Sequence, residues 1–175
     1  MCQTFVLGPL TKDGNITLLI RPKFHTPGTF HIDDLVRYGI FCVEKAVRQI
    51  ESKKLKPQIA CIYDRTGMTN QNKDGQVVKL ALRMATALQD FYCERLGDFY
   101  VIGANTMFWI GHKLIKPFLA QKTRDKIKLI NKLEELEQYY DKDHIYKEHG
   151  GTLEYEYDPH KMWGLPKEGE EESKE

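Results

Sequence analysis

The stretch TMFWIGHKLIKPFL, residues 106–119, carries the most pointed chemistry in the chain. At helical spacing Met107, Phe108, Leu114, Ile115, Phe118 and Leu119 share one wide apolar face. Trp109, Lys113 and Lys116 fall together on the opposite one, at i, i+4 and i+7. A tryptophan beside two lysines on an otherwise apolar helix has the composition of a membrane-interface element. Taken alone, these residues favour an ordinary core helix whose Trp packs under a neighbouring loop. Covalent chemistry finds no comparable set. The chain has no GxxxxGK[ST], no GxGxxG after a strand, no GxSxG and no HExxH. Asp64, at the end of an apolar run, has the position of a catalytic group in an open α/β fold. Capping the loop that begins at Arg65 accounts for it better. Cys2, Cys42, Cys61 and Cys93 are too far apart in sequence for a metal knuckle or a redox pair. Cys42 and Cys61 sit among apolar neighbours and read as small buried hydrophobes. His144 and His149 are five apart, the wrong spacing for one helix face. No metal, no cofactor and no enzymatic activity are expected.

The elements that position these residues alternate in period. After the turn pair Asp13-Gly14, residues 15–21 (NITLLIR) read as a strand, and residues 7–12 as a turn. Leu35, Val36, Ile40, Val43, Val47 and Ile50 recur at helical spacing, so a helix capped by Asp33 runs to about Leu55 and stops at Pro57. Residues 58–63 (QIACIY) and 99–104 (FYVIGA) are near-continuous apolar runs, as expected of strands covered on both faces. A helix over 76–91 lies between them, with Val77, Leu80, Ala81, Met84 and Leu88 as its stripe. The helix over 106–119 follows, then a short strand over 126–130 and a helix over 132–140 capped by Asn131. The order βαβαβαβα predicts a mainly parallel sheet with helices packed on it.

Composition bounds the function classes. The 175 residues suffice for one domain with a short tail. Lys and Arg total 26 against 25 acids, so bulk nucleic-acid binding, which needs a basic surplus, is not expected. No apolar run is long enough to span a membrane, and the first residues lack the pattern of a signal peptide. Lone cysteines suit a reducing, cytoplasmic setting. Residues 156–175 are acidic and read as a disordered tail behind a domain over 1–155.

The run CERLGDFYVIGANTMFWIGHKLIKPFLAQKTRDKIKLI, residues 93–130, resembles the central signature of CRAL-TRIO lipid-binding domains, in the branch with fungal phosphatidylinositol transfer proteins. Glu94-Arg95-Leu96-Gly97, Lys116-Pro117-Phe118-Leu119 and Thr123-Arg124-Asp125-Lys126-Ile127 carry it. Asp64-Arg65-Thr66-Gly67 resembles the family's D-x-x-G, and His149-Gly150-Gly151 its closing G-G. The resemblance implies an α/β fold: a mainly parallel sheet, flanking helices and a deep apolar pocket closed by a gate helix. It implies one bound phospholipid, most of all phosphatidylinositol, exchanged at a transient membrane contact by a peripheral protein. It implies headgroup contacts from Glu94, Thr123 and Lys126. Phe99, Val101, Phe108, Leu114, Ile115 and Phe118 are then expected to line the acyl pocket. Trp109, Lys113 and Lys116 are expected to face the membrane. Cys93 and Ala120 depart from the family's proline and aspartate. Ile59 and Cys61 replace the hydroxyl residues that serve choline lipids, so choline-lipid binding is not implied. The family's upstream helical lobe is not expected here, because the chain starts almost at its first strand. Two other roles stay open: a lipid-gated module that binds a protein partner, and a carrier of a sterol or isoprenoid.

Overall fold

The computed structural model describes residues 5–72, 75–92, 94–154 and 158. Five strands form one sheet in the order β1-β2-β3-β4-β5. They are β1 (Phe5–Leu10), β2 (Ile16–Ile20), β3 (Ile59–Asp64), β4 (Leu96–Ile102) and β5 (Ile127–Ile130). Strands β2 to β5 are parallel, as the alternating order predicts, and β1 runs antiparallel to β2. The first strand corrects the turn expected over 7–12. Gly8 and Pro9 mislead there because they fall within a register irregularity between Leu7 and Leu10. A proline is tolerated at such a point on an edge strand, where a lost ladder donor costs little. The reversal itself comes later, where Gly14 takes φ +84° and donates to the Thr11 carbonyl at 2.8 Å.

Strand alternation sends the sheet's side chains to two different coverings. Ile16, Leu18, Ile59 and Cys61 pack against Cys42, Val43, Ala46 and Ile50 of α1 (Ile32–Lys53). His31, not Asp33, caps this helix by accepting from the Asp33 N–H. Asp33 lies inside the first turn, where its charge suits the helix dipole. Lys54 ends the helix in the left-handed conformation at φ 52°. On the opposite face Leu19, Ala60, Ile62, Tyr100, Ile102 and Ile130 meet Leu136, Tyr140, Ile145 and Tyr146. Each of the large apolar side chains buried here stabilises the fold by about 1.5–3 kcal/mol.

That second covering is not the α-helix expected over 132–140. Residues Leu133–Gln138 form a 3₁₀ helix, followed by shorter ones at Lys142–His144 and Lys147–His149. The Glu135 carboxylate accepts from the Asn131 and Lys132 N–H groups at 3.3 and 3.2 Å. Leu133, Leu136 and Tyr139 all touch the cluster, and their spacing of three suits a three-residue turn.

The other α-helices among the described residues are α2 (Val77–Phe91), α3 (Thr106–Ile115) and the single turn α4 (Gln121–Asp125). The expected helix over 106–119 stops at Ile115 and tightens into a 3₁₀ turn at Lys116–Phe118, around Pro117. The acidic tail expected over 156–175 lies outside the described residues, apart from Asp158.

Candidate functional site

The third helix starts at a double anchor. Asn105 accepts from the Phe108 N–H at 3.1 Å, and the Arg65 guanidinium donates to the same side-chain oxygen at 3.2 Å. Arg65 also lies 5.9 Å from the centre of the Phe108 ring. At the far end Arg124 of α4 donates to the Lys116 and Leu119 carbonyls at 3.4 and 3.0 Å. These bonds supply partners for carbonyls that a helix end otherwise leaves open. They also hold the end of α3 beside α4.

Between α3, α4 and β5 lies a cavity of about 620 Å³. Its floor is Ile127 and Leu129, alternate residues of the edge strand. Phe108, Trp109 and His112 form its aromatic wall, with ring centres 5.6 to 5.9 Å apart. Lys113, Lys116 and Arg124 bring three cations to the lining, against one acid, Asp125. Asp125 accepts from the Gln121 amide at 2.6 Å. Burial, reinforced by the nearby Lys116 charge, pushes the His112 pKa below its ordinary value. His112 is therefore neutral at pH 7.

The expected division of α3 into a covered and an exposed face does not appear: Trp109 is 47% exposed, and Lys113 and Lys116 are exposed too. Trp109, Lys113 and Lys116 line the cavity, with Phe108 from the face expected to do so. Leu114 and Phe118, expected inside, are 55% and 64% exposed, and with Ile110 at 54% they make an outward apolar stripe. Helical spacing tells which residues share a face, and only the surroundings decide which face is covered. Ile115 is half-buried and is not part of the lining. The expected sheet residues are elsewhere too. Phe99 packs on the α1 side and beside the Tyr63 ring, and Val101 is fully buried. The edge strand β5 supplies the floor instead, a role its short KIKLI sequence did not signal.

Glu94, Thr123 and Lys126 all sit near the starts of β4 and β5. Glu94 is in the left-handed region at φ 62° and pairs with Lys122 at 3.0 Å, both side chains exposed. The Lys122 bond and charge hold the Glu94 carboxyl below its ordinary range, with a smaller contribution from Lys126. Lys126 donates to the Leu96 carbonyl. Thr123 is half-buried in α4, between the lining residues Gln121 and Arg124. Lys122, which pairs with Glu94, is a contact that the sequence reading did not single out. Its position just before Thr123 was the available signal.

A second polar cluster closes the carboxyl end of β3. Asp64 accepts from the Thr66 N–H at 2.8 Å, the expected cap of the Arg65 loop. It also pairs with His149 Nε2 at 3.0 Å, both side chains buried. Burial alone raises the Asp64 pKa, but the His149 and Thr66 bonds outweigh it and hold the carboxyl low. Glu148 lies next to this pair, with ligand-type atoms of all three residues within 4.8 Å. These are the residue types of a metal centre. Arg21 at 3.0 Å and Lys23 at 3.3 Å from Glu148, however, supply two cations to the cluster. The arrangement is a polar network that ties the turn at Lys147–His149 to the sheet.

Comparison with known proteins agrees with this architecture. The CRAL/TRIO domain pattern matches residues 2–151. A CRAL-TRIO domain-containing protein of Schizosaccharomyces pombe is 36% identical over 153 residues, 87% of this chain and 14% of that protein. The phosphatidylinositol transfer protein SFH5 of Saccharomyces cerevisiae is 26% identical over 122 residues, 69% of this chain and 41% of its own length. The chain thus spans less than half of either relative. The crystal structure of Sfh5 superposes with a TM-score of 0.68 at 22% identity, covering 85% of this chain and 54% of that one.

Proposed function

Because the chain belongs to the CRAL/TRIO domain family, we propose that it takes one phospholipid, phosphatidylinositol first, into the cavity under α3 and exchanges it with membranes. The cavity carries this reading: an apolar floor and aromatic wall roofed by a helix whose outer apolar stripe is more than half exposed. Its volume suits a small ligand, within the roughly 300–1,000 Å³ of ordinary binding pockets. Swinging α3 outward enlarges it for two acyl chains. Ile110, Leu114 and Phe118 then enter the bilayer surface, which covers apolar area that water leaves costly at about 25 cal/mol per Å². Pocket and bilayer are both apolar, so exchange runs in either direction without bond chemistry. The inositol ring is hydroxyl-rich, and Glu94, Thr123 and Lys126 offer an acceptor, a hydroxyl and a donor for it.

The test is native mass spectrometry of the purified chain after incubation with mixed phospholipids, with bound species identified by fragmentation. One phosphatidylinositol per chain is the expected result. Lys126→Ala is expected to lower that loading without loss of folding. A chain that stays empty, or that loads only a sterol or isoprenoid, refutes phospholipid exchange.

A further inference from the structure

The cavity is apolar at its floor and cationic along its roof. Lys113 of α3 and Lys116 of the 3₁₀ turn that follows it both join the same lining. Neither ammonium has an ion-pair or hydrogen-bond partner among the described residues. This contrasts with Lys122 and Lys128 nearby, which pair with Glu94 and Asp98. The third cation, Arg124, is occupied by the Lys116 and Leu119 carbonyls and the Gln121 side chain. The one lining acid, Asp125, is engaged by Gln121. The lining therefore carries three cations against one acid, and neither lysine is in an ion pair among the described residues. The neutral His112 between them and Phe108 adds a hydrogen-bonding ring without a further charge.

We infer that Lys113 and Lys116 hold the anionic group of the cargo, a phosphate or carboxylate attached to an apolar body, and so make the cavity selective for anionic over zwitterionic or neutral lipids. This rests on the lipid-exchange reading above and adds the residues that choose the charge. The geometry is compatible with the ring contacts already named. Arg124 ties the Lys116 turn to α4, the short helix that also carries Thr123. The selectivity also has a physical reason. A quaternary ammonium brought alongside two unpaired lysines meets like charge, whereas a phosphate or carboxylate meets opposite charge.

Equilibrium loading from neutral detergent solution tests this without any bilayer. The parent chain is offered phosphatidylinositol, phosphatidylcholine and diacylglycerol, and bound lipid is counted by native mass spectrometry. The expected parent result is a preference for phosphatidylinositol. Lys113→Gln/Lys116→Gln is expected to lose roughly tenfold or more in phosphatidylinositol affinity, as for a lost charge-assisted bond. Its diacylglycerol loading should stay at the parental level, which also shows that the variant is folded. Lys113→Arg/Lys116→Arg should keep the preference. Parental phosphatidylinositol loading by the glutamine variant overturns the inference while leaving lipid exchange intact. If that variant loads normally from detergent but transfers slowly between anionic vesicles, the lysines serve the membrane surface and not the cargo, and the inference fails. Inorganic phosphate is the remaining arm. If it protects the parent against thermal unfolding while no lipid is loaded, the site takes a free anion, and both readings fall.

Discussion

Replacing Asp64 by asparagine keeps the shape of a buried residue and removes its charge. The side chain is fully buried and holds two bonds, from the Thr66 N–H at 2.8 Å and with His149 Nε2 at 3.0 Å. Asparagine still accepts from Thr66 with its oxygen, but it presents an amide to His149. The loss is one charge-assisted hydrogen bond in a dry site, about 1.5–3 kcal/mol. A protein of this size loses about 2–4 °C of melting temperature per kcal/mol, so Asp64→Asn should melt about 3–12 °C lower at pH 7. Calorimetry gives the shift, and a cycle with His149→Gln gives the coupling within the pair. The pH dependence has a definite sign. The folded carboxyl is held below its ordinary value of 3.8, so the unfolded chain takes up the proton first as pH falls. The stabilisation is complete above that value and is lost as pH drops through the folded one. The gap between parent and variant should therefore narrow below about pH 4. Lipid loading should be unchanged, because neither residue lines the cavity. A variant that melts with the parent at pH 7, or a gap that widens in acid, refutes the assignment of Asp64 to the lock that holds the C-terminal turn.

Three other outcomes follow from the geometry. Burial pushes the Cys61 thiol up to about 12, so iodoacetamide at pH 8 should leave the Cys61 peptide unlabelled in the native chain and label it in urea; prompt native labelling would contradict its burial. A Cβ on Gly151 would lie 1.9 Å from the Ile145 carbonyl oxygen, so Gly151→Ala should cost on the order of 3 kcal/mol by thermal melting, and a neutral substitution would show that this turn is not rigidly packed. Ile110→Ser/Leu114→Ser removes side chains that are already half exposed, so the melting temperature should hardly move while vesicle-to-vesicle transfer slows several-fold; an unchanged transfer rate would mean that the outer stripe does not meet the bilayer.

The parallel core was legible because its strands are buried on both faces and read as unbroken apolar runs, as in QIACIY. The edges were not. In β1 a glycine and a proline at an irregular register imitate a turn, and only pairing with β2 distinguishes the two. The 3₁₀ covering was hidden for a different reason, since Leu133, Leu136 and Tyr140 satisfy a spacing of three to four. The Asp64 and His149 motifs lie far apart in sequence and meet only in the fold, where they pair directly. At the cavity, the residue types of α3 were readable but its orientation was not. Its lysines and tryptophan are exposed, as a helical wheel suggests, and only the neighbouring β5 and α4 make them also the lining of a cavity.

The two long helices on the α1 side of the sheet differ in how firmly they are held. Eight residues of α1 are buried, and α2, fifteen residues long, buries none completely. Where they meet, Gly39 lets the Met84 side chain come so near that a Cβ there would lie 2.8 Å from its terminal carbon. Met84 is a flexible, easily rearranged contact. In terms of amide exchange, α1 and the central strands should open only with the whole molecule, whereas α2 and α3 should open as a smaller unit at lower free energy. Under the proposed lipid exchange, that small unit sets the rate of ligand entry. Substitutions that strengthen the sheet can raise the melting temperature of the whole chain and leave uptake as fast as before.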